Sequence, residues 1–353
     1  MPFKPEDLDF FATKSGPYYI YAYNYRNTSA GNRALYTLCH ALNCLGQEAY
    51  ITNSQLVPPQ LRTPLLDSNT LIKHFLTGRT PIAVYPEVVA GNPVRLPVVA
   101  RWLLHKPGHF SGVADYDADD LFFHFMNWVV PDDMKGRSAQ LTVPITDPTI
   151  FNNKNNPHDR QRQGVCYYAH KLGLLGGEVD PEIKRHGTSL GVEHPHTREE
   201  LASILRRSEA LYCYEHSALI EEALRCGCPV ILVSSAYCNW KKEGGELLNT
   251  PGVALEEEPD HLERAKAQVA NYIRPTNQLN YFYVGMIEEF IRLTQAQRDT
   301  VASKRAASPR KAIENIWAAP QRRSAETDGA FMKFYGIAPE NFRQVEEHLY
   351  PFE

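Results

Sequence analysis

Two glutamates, Glu215 and Glu222, lie in the part of the chain whose residue types best suit a site that binds an anionic ligand. Residues 211–233 read LYCYEHSALIEEALRCGCPVILV, with short apolar runs at both ends and apolar residues at helical spacing between them. Gly227 and Pro229 are typical of a helix end followed by a turn. The segment therefore predicts a strand, a helix and a second strand. The turn before such a helix faces ligands, and its N–H groups favour an anion such as a nucleotide phosphate.

The run Glu222-Ala-Leu-Arg-Cys-Gly-Cys-Pro-Val resembles the nucleotide-sugar signature of retaining glycosyltransferases with the two-domain GT-B fold, especially glycosyltransferase family four. In that family a first glutamate stands eight positions before the second. This chain has Tyr214 there, and the nearest acid is Glu215. Either the turn is one residue shorter here or the first acidic role is altered.

The resemblance implies which residues surround the donor. Glu222 would hold the ribose or the donor sugar, and Glu215 the sugar hydroxyls. Lys171, just past the predicted strand 164–169, would meet the donor diphosphate, with Arg162 as a substitute. These expectations give a catalytic set of Glu215, Glu222 and Lys171. The donor-binding candidates are Tyr214, His216, Ser217, Ala218, Arg162, Gly31 and Asn32. No general base is assigned, although His216 is a candidate.

The first half of the chain opens like a Rossmann unit. A strand over 17–22, a polar loop over 24–31, a helix over 32–45 and a strand over 49–52 follow from the apolar spacing and the stop at Gly46. In GT-B enzymes the loop after the first strand faces the cleft, so Gly31 and Asn32 are candidates to bind the donor.

An acid also follows the predicted strand that ends at Tyr85-Pro-Glu87, before a Gly-Asn-Pro turn that contains Asn92. The carboxyl ends of parallel strands are where open α/β sheets bind ligands. A helix is predicted over 97–105. The arrangement looks like that of transferases that build bacterial surface polysaccharides, which makes Glu87 and Asn92 candidates on the acceptor side.

The domain prediction is α/β and GT-B-like, with two Rossmann-like domains whose parallel sheets face an interdomain cleft. The asparagine-rich stretch 148–162 lacks apolar periodicity and marks the boundary. The domains are an N-terminal, acceptor-side domain over 1–150 and a nucleotide-sugar-binding domain over 151–310, including a helix over 281–293. A tail over 311–353 is expected to be helical and to pack back on the first domain.

Composition narrows the class of protein. The 353 residues carry a formal net charge of −4, which gives no electrostatic case for a nucleic-acid partner. No apolar run approaches the roughly 20 residues that span a bilayer, and the start lacks the apolar core of a signal peptide. The seven cysteines are expected to be reduced thiols of a cytoplasmic protein. Peripheral association of the protein with the inner face of the membrane is an alternative location. No metal and no cofactor are expected.

The expected function is transfer of a sugar from a nucleotide-sugar donor to a glycan or lipid-linked glycan acceptor. The resemblance implies retention, independence from metal ions, and a role in bacterial O-antigen, lipopolysaccharide or capsule-type polysaccharide biosynthesis. Three alternatives are a nucleotide-sugar 2-epimerase, a phage DNA glycosyltransferase and a non-catalytic glycan- or nucleotide-binding subunit.

Overall fold

The computed structural model describes residues 15–302 except 95, 110–111, 113, 192–193, 236 and 273–275. These residues form two compact units. Unit 1 comprises 15–26, 31–143 and 283–302, and unit 2 comprises 27–30 and 144–282. The junction after Val143 lies a few residues before the predicted boundary at 150. The predicted tail over 311–353 lies outside the described residues.

Unit 1 is built on a six-stranded sheet in which every neighbouring pair is parallel. The order is β2-β1-β3-β4-β5-β6. The strands are β1 (Tyr18–Tyr21), β2 (Ala49–Thr52), β3 (Ile82–Pro86), β4 (Val98–Leu103), β5 (Leu121–His124) and β6 (Ser138–Gln140), and the first helices are α1 (Ala30–Cys44) and α2 (Ser68–Leu76). The predicted Rossmann-like opening is confirmed. Strands β1, β3 and β4 are wholly buried, as the central strands of a sheet covered on both faces require.

The helix predicted over 97–105 is wrong, because these residues form strand β4. All six of its side chains are buried, including Arg101. The guanidinium of Arg101 donates to the carbonyl of Val89 at 2.6 Å and pairs with Asp120 at 2.9 Å. A buried ion pair satisfies the charge of Arg101 inside the sheet, so a charged residue can stand in this buried strand.

Unit 2 repeats the same kind of sheet with five parallel strands in the order β11-β10-β9-β7-β8. The strands are β7 (Val165–Tyr168), β8 (Thr188–Ser189), β9 (Ala210–Cys213), β10 (Val230–Leu232) and β11 (Val253–Leu255). The helices are α3 (His170–Leu174), α4 (Pro181–His186), α5 (Arg198–Arg207), α6 (Leu219–Arg225), α7 (Trp240–Glu243) and α8 (His261–Gln268). Strand β9, helix α6 and strand β10 confirm the predicted unit over 211–233. The predicted α/β class with two parallel sheets is therefore correct.

The last described helix, α9 (Thr276–Ala302), belongs mostly to unit 1. Phe290 is fully buried there, with ring centroids 4.8 Å from Phe123 and 5.6 Å from Tyr18. The hydroxyls of Tyr18 and Thr294 are 2.9 Å apart. The sequence prediction had assigned this helix to the second domain. Among the helices of the described residues, none is both long and apolar enough to cross a membrane.

The end of α6 supplies a test of backbone geometry. Gly227 has a φ of +69°, and an added Cβ would lie 2.7 Å from the amide of Asn153 and 2.8 Å from Arg162. Gly46 ends α1 in the same way, at a φ of +79°, and an added Cβ would meet no atom of the described residues within 4 Å. Gly46→Ala should therefore cost only the left-handed strain of about 1 kcal/mol, and Gly227→Ala about 2 to 3 kcal/mol because crowding is added. Urea unfolding of both variants measures the difference, and equal losses would contradict the crowding.

Candidate functional site

In the unit 2 sheet, the direction in which successive strands are added reverses between β7 and β9. The second strand in sequence, β8, lies on one side of β7, whereas β9 and the later strands lie on the other. In doubly wound sheets this reversal opens a crevice beyond the strand ends, which is where ligands bind. The residues that follow β7 and β9 are therefore the first place to look for a site.

Glu215, two residues after β9, joins the two sides of this reversal. The side chain is fully buried, and its Oε2 accepts hydrogen bonds from the backbone N–H groups of Lys171 at 2.6 Å and Leu172 at 3.3 Å. Those two residues are in the first turn of α3, directly after β7. A carboxylate at the start of a helix is stabilised by its free N–H groups. Glu215 therefore fixes the exit of β9 against the exit of β7.

The surroundings of the Glu215 carboxyl raise its pKa overall. Burial raises the pKa, while the Lys171 ammonium, the two N–H donors and the Tyr168 hydroxyl lower it by less. The thiol of Cys213 donates to the backbone carbonyl of Glu215 at 3.0 Å and stabilises the turn after β9. The structure thus brings together two of the three residues predicted to be catalytic, Glu215 and Lys171.

Helix α6 begins just beyond Glu215. Ser217 is half-buried, and its Oγ accepts the N–H of Leu219, the first residue of α6, at 3.2 Å. Ala218 is the last residue before the helix. Both residues lie at the carboxyl edge of the sheet, as the sequence predicted for the turn that would meet a phosphate.

Glu222, the third predicted catalytic residue, is engaged in a buried ion pair. Its carboxylate has 1% of its side-chain surface exposed and meets Arg198 through two hydrogen bonds, of 2.6 Å and 3.2 Å. The guanidinium of Arg198 also stacks on the ring of Phe151 at 4.3 Å. This pair links the first turn of α5 to the first turn of α6. Glu222 therefore orders the start of α6 through Arg198.

Tyr214 and His216 flank Glu215 and have different surroundings. Tyr214 is buried against Leu172 and Val233, and its hydroxyl accepts the N–H of Asp180 at 3.4 Å. Burial raises the pKa of this hydroxyl to about 12. The ring of His216 packs against the buried ring of Trp240, with centroids 4.4 Å apart. Tyr214 supports the loop from inside, and His216 is half-buried at the edge.

Arg162 does not lie where a donor phosphate was expected. Its guanidinium donates to the carbonyls of Cys226 and Leu205, each at 2.9 Å, and to the Oδ1 of Asn153 at 3.1 Å. Cys226 lies at the C-terminal end of α6, which is the end opposite Ser217. The donor-binding role predicted for Arg162 disagrees with this placement, because its hydrogen bonds close the C-terminal ends of α5 and α6.

Unit 1 places Glu87 at its own point of strand reversal. Glu87 directly follows β3, and the order reverses between β1 and β3. Its Oε2 accepts the N–H of Leu104 at 2.9 Å, just past the end of β4. Burial raises the pKa of this carboxyl to about 7, and the N–H groups of Leu104 and His105 limit the rise.

The other candidates in unit 1 hold loops. The side chain of Asn92 accepts the hydroxyl of Tyr85 at 3.0 Å and donates to the carbonyl of Leu96 at 2.7 Å, closing a turn. Asn32 accepts the N–H of Arg26 at 2.9 Å and donates to the carbonyl of Tyr23 at 3.1 Å. Gly31 lies beside it at the start of α1, where an added Cβ would meet Leu104 at an ordinary 3.5 Å.

Sequence reasoning missed Arg198. One signal was present. The sequence Thr197-Arg-Glu-Glu200 predicts a capping box at a helix start, which the structure confirms for α5, and Arg198 directly follows the capping residue Thr197. A cation at that position opposes the helix dipole. An arginine placed against this preference indicates a specific anionic partner, which the structure identifies as Glu222.

Comparisons with known proteins give only distant likenesses. No family model matches the chain, and no curated protein does. Among solved structures, the glycosyltransferase SnogD from Streptomyces nogalater is 12% identical over 82% of this chain and 99% of its own, with a TM-score of 0.38. The calicheamicin glycosyltransferase CalG4 is 12% identical over 88% of this chain and 99% of its own, with a TM-score of 0.34. The spinosyn rhamnosyltransferase SpnG complexed with thymidine diphosphate is 12% identical over 81% and 99%, also at 0.34. Likenesses this remote do not establish a family or an activity for the chain.

Proposed function

We propose that this chain is a glycosyltransferase that moves a sugar from a nucleotide-sugar donor to a carbohydrate acceptor. The observation that carries the proposal is the position of Glu215. It is a buried carboxylate at the strand reversal of unit 2, tied to the first turn of α3 and close to the Lys171 ammonium. It lies within the segment whose motif resembles the nucleotide-sugar signature of GT-B enzymes.

The proposed roles follow from charge. The leaving diphosphate gains negative charge in the transition state, and a lysine together with free N–H groups stabilises it there. Lys171 and the turn at Ser217 and Ala218 would supply that stabilisation without a divalent ion. Glu215 would accept hydrogen bonds from donor hydroxyls. Glu222 would act indirectly, by positioning α6 through Arg198.

The finer parts of the proposal rest on the sequence resemblance. They are retention at the anomeric carbon, a glycan or lipid-linked glycan acceptor, and a place in bacterial O-antigen or capsule-type polysaccharide synthesis, on the cytoplasmic side. Glu87 is the proposed acceptor-side carboxylate, because it ends a strand at the reversal point of unit 1.

One alternative is favoured by a specific observation. The pairing of Glu222 with Arg198 occupies the acid that the family motif uses to bind the donor. A non-catalytic nucleotide-binding subunit would keep the same turn and the same Lys171 while transferring no sugar. A measurement of sugar transfer distinguishes the binding subunit, which would show none, from the proposed enzyme.

Nucleoside diphosphates should raise the thermal midpoint of the protein, because a ligand that binds only the folded chain stabilises it by mass action. At a concentration about 100 times the dissociation constant the gain is about 2.7 kcal/mol. The measurement is a thermal shift with UDP, GDP and dTDP, with the matching nucleosides as controls for the phosphates. A midpoint unchanged by every nucleotide would count against both the enzyme and the binding subunit.

Glu215→Gln should lower kcat/KM for sugar transfer by about ten- to hundred-fold. Glutamine can still accept the N–H groups of Lys171 and Leu172, but the charge-assisted bond to a donor hydroxyl, worth about 1.5 to 3 kcal/mol, is lost. The assay follows transfer from a panel of nucleotide sugars without added Mg²⁺ or Mn²⁺. Glu182→Gln, which alters an exposed carboxylate on α4, is the matched control and should keep the wild-type rate. A folded Glu215→Gln protein with wild-type turnover would remove Glu215 from the site.

A further inference from the structure

Three side chains with different ligand atoms converge at the carboxyl edge of the unit 2 sheet. The ligand atoms of His216, Cys238 and Glu243 all lie within 4.8 Å of one another. His216 is in the loop after β9, Cys238 is in the loop after β10, and Glu243 ends α7. Because β9 and β10 are parallel neighbours, their loops leave the sheet at the same edge. The cluster therefore bridges two adjacent loops.

The loop that carries Cys238 is held in place by its own hydrogen bonds. The N–H of Ser235 donates to the carbonyl of Cys238 at 2.9 Å, and the Ser235 Oγ accepts the N–H groups of Tyr237 and Cys238 at 3.2 Å each. Only 2% of the Cys238 surface is exposed. The thiol is therefore presented from a closed turn, as a metal site requires of its ligands.

The other two ligands are positioned through α7. Trp240 is fully buried, donates its indole N–H to the carbonyl of Val233 at 3.1 Å, and packs against the His216 ring. The Oε1 of Glu243 accepts the N–H of Asn239 at 3.2 Å. Contacts of this kind orient ligands and are typical of the surroundings of metal-binding side chains.

We propose that His216, Cys238 and Glu243 bind one Zn²⁺ ion. A thiolate, an imidazole and a carboxylate are the three ligand types that zinc uses, and three protein ligands leave a fourth tetrahedral position for water. Bonds of about 2.0 to 2.3 Å place ligand atoms about 3.4 Å apart. Closing the cluster around an ion therefore needs inward movements of about an ångström, within reach of side-chain torsions.

The ligand set makes zinc binding depend on pH. Zinc would bind the thiolate form of Cys238 and displace its proton, which makes the affinity for zinc fall as the pH is lowered.

The zinc proposal does not require the proposed sugar transfer. Neither Lys171 nor Glu215, which are proposed to meet the donor, is a ligand, whereas His216, a donor-binding candidate from the sequence, is one. The role of the ion would be to tie the loop after β9 to the loop after β10. The zinc site is compatible with a glycosyltransferase, with a binding subunit and with a protein of another function.

The test measures metal directly. The full chain is stripped with a chelator, incubated with Zn²⁺, desalted and analysed for zinc by mass spectrometry. We expect one ion per chain and a higher thermal midpoint than in the stripped protein. Cobalt reconstitution should produce a thiolate-to-cobalt charge-transfer band and the visible bands of a tetrahedral ion. Each readout is independent of nucleotide binding and of turnover.

Variants separate this site from adventitious binding. Cys238→Ser should abolish the retained zinc and the charge-transfer band. Cys44→Ser is the matched control, because Cys44 is exposed and its Sγ lies 3.6 Å from His40 Nε2, a thiol and imidazole pair to which the described residues add no third ligand. Glu243→Gln, at a half-exposed position, provides a second test if Cys238→Ser fails to fold. Wild-type protein that retains no zinc would overturn the proposal, as would zinc that survives both site variants or is lost with Cys44→Ser.

Discussion

Glu222→Gln should lower the free energy of unfolding by about 3 to 5 kcal/mol, because it leaves the Arg198 guanidinium without its counter-charge in a largely buried position. Only 1% of the Glu222 side chain and 12% of the Arg198 side chain are exposed. Such a loss would mean that Glu222 stabilises the start of α6. The sequence motif had instead predicted that Glu222 contacts the donor directly. Urea denaturation followed by circular dichroism measures the loss.

Helix α4 contains an exposed ion pair that serves as a control. Arg185 and Glu182 approach to 2.6 Å, the same distance as Arg198 and Glu222, but their side chains are 63% and 67% exposed. Glu182→Gln should change stability by less than about 1 kcal/mol, since solvent screens an exposed pair. Replacing both Arg198 and Glu222 by methionine should recover much of the loss, because no unpaired charge remains. A Glu222→Gln protein as stable as the wild type would show that the ion pair contributes nothing.

The protein should lose about 3 kcal/mol of stability through Glu87 as the pH rises from below 4.5 to above 7. The pKa of this carboxyl is raised by burial from 4.5 to about 7. The folded chain therefore holds the proton more tightly than the unfolded chain. The resulting stabilisation is complete below the unfolded pKa and is lost as the pH rises through the folded pKa.

Glu87→Gln isolates this contribution, because every other titrating group is common to both proteins. The unfolding free energies of wild type and variant, measured from pH 4 to pH 9, should differ by an amount that changes with pH mainly between 4.5 and about 7. The variant should gain in relative stability at the alkaline end. A difference that stays constant across the range would mean that Glu87 titrates alike in the folded and unfolded chains.

The features that could be predicted from the sequence depend on neighbours along the chain. Apolar spacing and Gly227 predicted β9, α6 and β10, and Thr197 with Glu200 predicted the start of α5. Each of these signals acts over a few residues, through a helix period or a cap. For the same reason Ser217 and Ala218 were correctly placed in the turn before the helix.

The rest depends on partners that are far apart in sequence. Glu222 and Arg198 are 24 positions apart, and Glu215 and Lys171 are 44 apart. Nothing local distinguishes a glutamate that faces a ligand from one that faces an arginine. Strand β4 was missed for a related reason, since Arg101 is tolerated in the sheet only because Asp120, from a later segment, neutralises it.

Helix α9 has a consequence for how the chain matures as it is synthesised. Tyr18 and Thr294, whose hydroxyls meet in the core of unit 1, are separated by 276 positions. A ribosome releases Tyr18 long before it makes Thr294, whereas every strand of unit 2 has been made before α9 is complete. Domains that can fold during synthesis do so in the order in which their parts emerge. Unit 1, which begins first, is therefore the last to complete its core, and until then the nascent chain must shield the face of β1 that Phe290 will cover.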